Sequence, residues 1–575
     1  RIFGYNVFAT HLPISLAVLG TAFLGWLWAR RAYGERGAFY AALGLLTSIG
    51  IFLFTRFFIP EAILSFFLAA ALYFFLTGLE DRKPARFYLV YVSLALAVLT
   101  KGLIAPVFFV AAAVAYLVLT GFWRRWREFH LVSGLLLFLA IAAPWHVLAG
   151  LRNPDQGHPF GNMPTPGNVH GFFYFYFVNE HFLRFLGKRY PHDYNKLPAV
   201  LYWLLHLVWL FPWSLYVPIA LRRAWQSRSQ WLSDLRPYTP QTVDFYIDRA
   251  HLEDPAAQAA RLKFRARTNW LLALYAGAVL IFFSISTNQE YYTYPAYFPL
   301  LLLIAGALAR VEQNSSAPRR WFDWAHGAFA VVGIAAAAAL GYGLWSSRKL
   351  AFVPDIGTLL AHRAVGGYTL SMSHFFDLTG PSFAALREPA ALAAMVLLVG
   401  PVLAWMLRRK KHNIEATTSV AFTAAVFLIA AHTAFARFEP LLSSRAMADT
   451  IERVELQEAG PWGEGIKNSQ LILYGDPVDG SSIPFYVGRE ALLVNNWQPG
   501  ECPGMSSMMW GSCYPDAPHI FIDDAGLLKI WGTGPRKFIF VSAHDHEHVA
   551  SMLDPKAYTV LELADKTLYT DRPLR

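Results

Sequence analysis

Apolar runs of roughly 17 to 23 residues, each long enough to cross hydrocarbon as a helix, recur from Ala9 to Phe438. Inside a bilayer every backbone N–H and C=O must find its partner within the protein, so such runs can only be helices packed side by side. The expected spans are 9–29, 37–55, 62–79, 87–100, 103–120, 129–148, 199–221, 269–286, 295–309, 322–345, 389–407 and 418–438, about 12 crossings. The loops between them fall into two alternating classes. One class carries Arg30-Arg31-Arg36, Arg82-Lys83-Arg86, Arg124-Arg125-Arg127, a long insert from Arg222 to Arg267, Arg310-Arg319-Arg320, and Arg408-Arg409-Lys410-Lys411. These hold about 25 basic residues against about 11 in the other class, so the basic set is expected in the cytoplasm. The loops beginning at Arg56, Lys101, Leu151, Ser284 and Ser346, and the chain after Phe438, are then expected outside.

Composition sharpens this. With 55% hydrophobic and 16% aromatic residues and only 15% charged, a 575-residue chain is a polytopic membrane protein, not a large soluble enzyme. Its net charge of +10 sits in the basic loops, where it reports topology and contact with anionic membrane lipid. No nucleic acid partner is implied. The two cysteines, Cys502 and Cys513, both lie in the expected exported tail, where a disulfide is chemically allowed and the spacing leaves it open.

Two domains are expected: a transmembrane domain over 1–438 and an extracytoplasmic α/β domain over 439–575. In the second, β-type runs at 471–474, 491–494, 519–522 and 537–541 alternate with helical stretches such as 442–455. The segment Gly475-Asp476-Pro477-Val478-Asp479-Gly480 lacks phosphate-loop spacing and reads as a plain turn. The insert 222–268 reads as a surface loop ending in a helix over 254–267. The first residue is Arg1 and not Met, and the expectation is that a first span and first outer loop are missing from the sequence.

The outer loops hold polar residues hard against the membrane. Arg56 and Glu61 flank Pro60 at the start of a span, Lys101 stands alone on a three-residue hairpin, and Glu180, His181 and Arg184 follow in the next loop, His181 and Arg184 at helical i, i+3 spacing. Glu290, Tyr291, Tyr292 and Tyr294 form a polar, aromatic turn into the ninth span. Singly, each has a plainer explanation: a snorkelling anchor, a helix cap, an aromatic belt. Their collection on one side, while the span middles are nearly free of charge, points to an anionic headgroup bound at the outer surface. The long loop 151–198, rich in Gly, Pro and aromatics, reads as a flexible lid.

The motifs Arg-Phe-x-x-Pro-Glu at 56–61, Leu-Thr-Lys-Gly at 99–102, Glu-His-x-x-Arg-Phe at 180–185, Phe-Pro-Trp at 211–213 and Ser-x-Ser…Tyr-x-x-Pro at 284–295 resemble, in matching order, the bacterial GT-C glycosyltransferases. Within these the likeness is to the protein O-mannosyltransferase group that includes the aminoarabinose lipid A transferase. The resemblance implies a mainly α, polytopic GT-C fold in the bacterial inner membrane, with the site and C-terminal domain extracytoplasmic. It implies an inverting transfer from a polyprenyl-phosphate sugar donor to a lipid or protein acceptor. Lys101 and Arg184, with Arg56 tied to Glu61, are the candidate phosphate ligands; His181, Glu180, Glu290, Tyr291 and Tyr292 are candidate substrate contacts. The general base is expected in the missing N-terminal loop, with Glu61, where many relatives have Asp, as second candidate. No cofactor is assigned; some relatives use a divalent cation, which leaves His181 as a candidate ligand without any ligand spacing around it. A lipid or glycan transporter is the alternative, to be recognised by a charged cavity near the midplane. A noncatalytic scaffold is the third reading. Sugar and acceptor are not legible in the residues.

Overall fold

The computed structural model describes residues 3–4, 6–192, 197–226, 255–286, 289–313, 320–360, 377–459, 469–504 and 507–574. Among these, nine helices are long and apolar enough to cross a membrane, as a multi-span membrane protein requires. The chain opens with α1 (Val7–Thr47), α2 (Ile49–Phe54), α3 (Glu61–Asp81), α4 (Pro84–Lys101), α5 (Ile104–Thr120) and α6 (Leu131–Arg152).

The 41 residues of α1 are two crossings and not one. Gly34 leaves helical geometry at φ 81°, ψ −176°. A side chain added to Gly25 would meet the Leu45 side chain and, beyond it, Phe298 and Leu302, while Gly44 faces Leu301. Residues 25 and 45 would lie about 30 Å apart in one straight helix. The two arms therefore fold back on each other about Gly34, where a positive φ favours glycine; the expected span 9–29 lies in the first arm, and 37–55 covers the second arm and α2. The span expected at 199–221 does break: Val200–Trp209 and Trp213–Gln226 meet at 105°, at Phe211-Pro212, where proline removes a backbone donor. The helical end of the basic insert is no separate surface helix, since helix Pro255–Ile285 runs unbroken into the next span. Most of that insert, including Asp248, lies outside the described residues, as do Thr287 and Asn288.

Charged loops expected on one side meet one another at one end of the bundle. Arg31 pairs with Asp81 at 2.6 Å, Arg267 with Glu80 at 2.7 Å, and Arg408 with Glu312 at 2.6 Å, with Arg36 also near Glu312. The residues expected outside gather at the opposite end, over which the C-terminal domain sits.

That domain carries a six-stranded sheet ordered β3-β2-β1-β4-β6-β5. The strands are β1 (Gln470–Tyr474), β2 (Ala491–Val494), β3 (Phe521–Ile522), β4 (Lys537–Ser542), β5 (Tyr558–Leu563) and β6 (Lys566–Thr570). The first four are parallel, and β5 and β6 close the far edge antiparallel. Alternation splits each central strand between two cores. Leu471, Leu473, Phe538 and Phe540 pack under helix Arg445–Glu458, whereas Ile472, Tyr474, Ile539 and Val541 pack under Leu527, Val549 and Leu553. Helices on both faces of a parallel sheet give the expected α/β layering. Gly475 to Gly480 forms a short helical turn capped by Asp476.

Candidate functional site

The site is built where α3 begins and α4 ends. Glu61 opens α3 with 1% of its surface exposed, and its Oε1 is ion-paired with Nζ of Lys101, the last residue of α4. The turn after Lys101 is glycine by necessity: Gly102 has φ +111°, and a Cβ there would stand 2.5 Å from Nε2 of His181. The ammonium of Lys101 also lies 4.6 Å from the ring centre of Tyr292 and 5.6 Å from that of Tyr291, so its charge is shared between a carboxylate and two π faces.

Arg184 approaches Tyr292 from elsewhere. Residues Tyr174–Leu183 form a π-helix, whose wide turn fans its side chains apart. Arg184 Nη2 donates to Tyr292 Oη at 2.9 Å, and Arg184 Nη1 pairs with Glu180 at 3.1 Å. Glu180 also takes Arg189 Nε at 2.8 Å. Tyr292 thus has one cation over its ring and another at its hydroxyl. Both keep an open flank, their side chains being 24% exposed for Lys101 and 33% for Arg184. Two cations held at one tyrosine and partly open are an arrangement with which an anionic group can pair.

The other expected residues divide. Arg56 is not tied to Glu61: its guanidinium lies 4.5 Å from the Phe52 ring centre, because Lys101 occupies the carboxylate. Lys101 therefore does not stand alone. Glu180 is engaged by two arginines and is not offered to a substrate, and Glu290 is buried at the start of the turn Glu290–Thr293. His181 and Arg184 diverge instead of sharing a helix face. His181 Nδ1–H donates to the Tyr176 carbonyl at 2.5 Å, and Nε2 accepts from the Leu103 N–H at 3.0 Å. With both ring nitrogens used, His181 does not fit a metal-ligand role; no group of three or more His, Cys, Asp or Glu suited to a metal occurs among the described residues.

Of the expected lid 151–198, the described residues 151–192 are tied down at several points. Asn179, fully buried, exchanges hydrogen bonds with the Tyr190 backbone, its amide donating to the carbonyl at 2.7 Å and its oxygen accepting from the N–H at 3.0 Å. The C-terminal domain docks on the same loop. Cys502 and Cys513 are disulfide-bonded, with Cα atoms 5.3 Å apart, and pack with Trp510 against Val169. Tyr514 donates to the Pro154 carbonyl at 3.2 Å, and Trp510 meets Phe175 edge-on. Burial pushes the Tyr514 phenol up, with Asp155 and Asp516 adding to it. Sequence reasoning missed Arg189, Asn179 and this docking face. Their signal was weak: the Cys502–Cys513 pair marked a closed loop but not its partner.

Comparison with known proteins agrees with this architecture. Residues 1–147 match the family model described as dolichyl-phosphate-mannose-protein mannosyltransferase. The undecaprenyl phosphate-alpha-4-amino-4-deoxy-L-arabinose arabinosyl transferase of Aeromonas hydrophila is 25% identical over 422 residues, 71% of this chain and 64% of its own length. That of Aeromonas salmonicida is 26% identical over 417 residues, with the same shares. The chain thus spans somewhat less than two thirds of these relatives. Among solved structures, ArnT from Cupriavidus metallidurans bound to undecaprenyl phosphate aligns with a TM-score of 0.64 at 19% identity, covering 99% of this chain and 85% of that one. Its apo state aligns equally well, over 98% and 83%. The fold is that of a membrane-embedded GT-C glycosyltransferase. The likeness to the protein O-mannosyltransferase and aminoarabinose transferase group holds in sequence as well as in structure.

Proposed function

We propose that this protein transfers a sugar from a polyprenyl-phosphate donor to an extracytoplasmic acceptor, lipid A or another glycolipid before a protein. The observation that carries this is the convergence of Lys101 and Arg184 on Tyr292, at the bundle end covered by the C-terminal domain. When the glycosyl bond breaks, negative charge grows on the leaving phosphate, and two fixed cations in a partly dry site stabilise it there. Glu61 suits the acceptor side. While it neutralises Lys101 it is a weak base; a phosphate drawing Lys101 away frees the carboxylate, whose Oε2 meets no donor among the described residues, to accept the acceptor's proton. The site end is read as extracytoplasmic in a bacterial inner membrane, which the clustering of basic loops at the other end and the Cys502–Cys513 bond support.

The test is transfer of a radiolabelled undecaprenyl-phosphate-linked aminopentose or hexose to lipid A by the purified protein. Glu61→Gln should bind undecaprenyl phosphate at least as tightly as the parent, having lost a competing carboxylate, yet transfer about 10²-fold or more slowly. Unchanged transfer would remove Glu61 from the mechanism; movement of the lipid-linked sugar across vesicles without transfer to any lipid or protein acceptor would favour a carrier. Impermeant thiol labelling in intact cells should modify a cysteine placed at Gln156 or Asp476 and spare one at Arg124; the opposite pattern inverts the topology.

A further inference from the structure

The geometry points to Arg189 as the positioning residue that sets Arg184, with the C-terminal domain holding Arg189 in turn. The inference rests on the donor-site reading above. Glu180 carries the link: its Oε1 accepts from Arg189 Nε at 2.8 Å and its Oε2 from Arg184 Nη1 at 3.1 Å. One carboxylate between two guanidiniums cannot turn toward one without loosening the other. Arg184 has a long side chain, a third of which faces solvent, and its Nη1 is held by Glu180. Glu180 therefore fixes the direction in which its second amino group reaches Tyr292, and Arg189 fixes Glu180.

Arg189 is itself gripped from two sides. Its Nη2 donates to Ser507 Oγ of the C-terminal domain at 3.2 Å, and the next residue, Tyr190, lays its hydroxyl 3.8 Å from the Met509 sulfur. On the membrane side the reciprocal bonds between Asn179 and the Tyr190 backbone strap this segment to the π-helix that carries Glu180 and ends before Arg184. Ser507 and Met509 lie within the loop closed by Cys502 and Cys513, which packs on Val169 and Phe175 of the same segment. The disulfide loop thus ends a continuous path of polar contacts that begins at the phosphate cradle. Because an ion-paired network is worth more when its members are already oriented, removing a distal member should weaken anion binding without touching the anion.

The probe is undecaprenyl phosphate binding to the full-length protein in detergent micelles. Arg189→Ala should weaken binding about tenfold, Arg189→Lys should recover much of it, and Arg184→Ala should weaken it more. The deciding readout is the double variant: if Arg189 acts through Arg184, adding Arg189→Ala to Arg184→Ala should change affinity little further. Full additivity, or an Arg189→Ala affinity equal to the parent while Arg184→Ala is weak, overturns the relay and leaves the donor site standing. Parental affinity in both Lys101→Ala and Arg184→Ala would instead overturn the donor site, and the relay with it.

Discussion

At the basic end of the bundle Glu80, Asp81 and Glu312 each close onto arginines, and at the opposite end Glu61 and Glu180 do the same with Lys101, Arg184 and Arg189. The chemistry is shared; the exposure is not. Glu312 and Arg408 are 0% and 3% exposed, with Tyr40, Thr417 and Asn413 completing their hydrogen bonds. Lys101 and Arg184 keep an open flank and lean on a tyrosine. A fully enclosed pair stabilises by having no unpaired member, whereas a half-open pair can trade its partner for an incoming anion. On the proposed function, the same residue types serve as a clasp at one end and as an anion receptor at the other.

The largest expected effect breaks the clasp. Glu312→Ala strands Arg408 in a dry site and should cost about 3–5 kcal/mol of stability, seen as a markedly lower melting temperature in detergent, while donor turnover per folded molecule is retained. Arg184→Ala should show the reverse: melting near that of the parent, since Glu180 keeps Arg189, but about 2–4 kcal/mol less transition-state stabilisation, read as a fall in kcat/KM. If both variants lose stability alike, the contrast between the two ends disappears. Tyr292→Phe sharpens the comparison, since it keeps the ring under Lys101 and removes only the hydroxyl that meets Arg184. A loss of about 0.5–1.5 kcal/mol in donor binding is expected; a loss as large as that of Arg184→Ala would mean the hydroxyl itself meets the donor.

The smallest effect lies beyond both ends, in the C-terminal domain. Burial pushes the Asp524 carboxyl up, but hydrogen bonds from Asn496, Tyr474 and His548 outweigh it and hold the group below the usual carboxylate range. A carboxylate so depressed stabilises the fold above its unfolded value of about 3.9 and loses that contribution as pH falls through the folded value. Asp524→Asn should therefore lower stability at neutral pH and flatten the acid limb of the melting profile below about pH 4. A profile parallel to that of the parent would assign Asp524 no part in acid sensitivity.

Much of the frame was legible because a bilayer imposes it. Hydropathy located the spans, and the arginine bias grouped the loops that the structure brings together at one end. The arms of α1 were visible as two spans because Arg30, Arg31 and Arg36 interrupt them. The pairing of Glu61 with Lys101, 40 residues away, was not legible: Arg56 was nearer in sequence, and local spacing carries no information on which helix end lies beside which. Nor was the π-helix, since the aromatic run Tyr174-Phe175-Tyr176-Phe177 has no period of its own. Strand β5 was missed because it is a half-exposed edge strand without a strong alternation, and β6, buried between β4 and β5, because Lys566, Thr567 and Thr570 break its apolar pattern.

Ser507 stands 318 residues after Arg189, which has a consequence for how the protein is made. A ribosome releases the π-helix, Lys101 and Arg184 long before the segment that grips Arg189 exists, and domains generally fold in the order of synthesis. During that interval the membrane bundle is a finished scaffold with an unfinished cradle. Only after the last domain has emerged, closed its disulfide and settled on the loop below does Arg184 acquire its full set of restraints. If the proposed relay holds, folding of the segment around Ser507 is then the step that completes the restraints on Arg184.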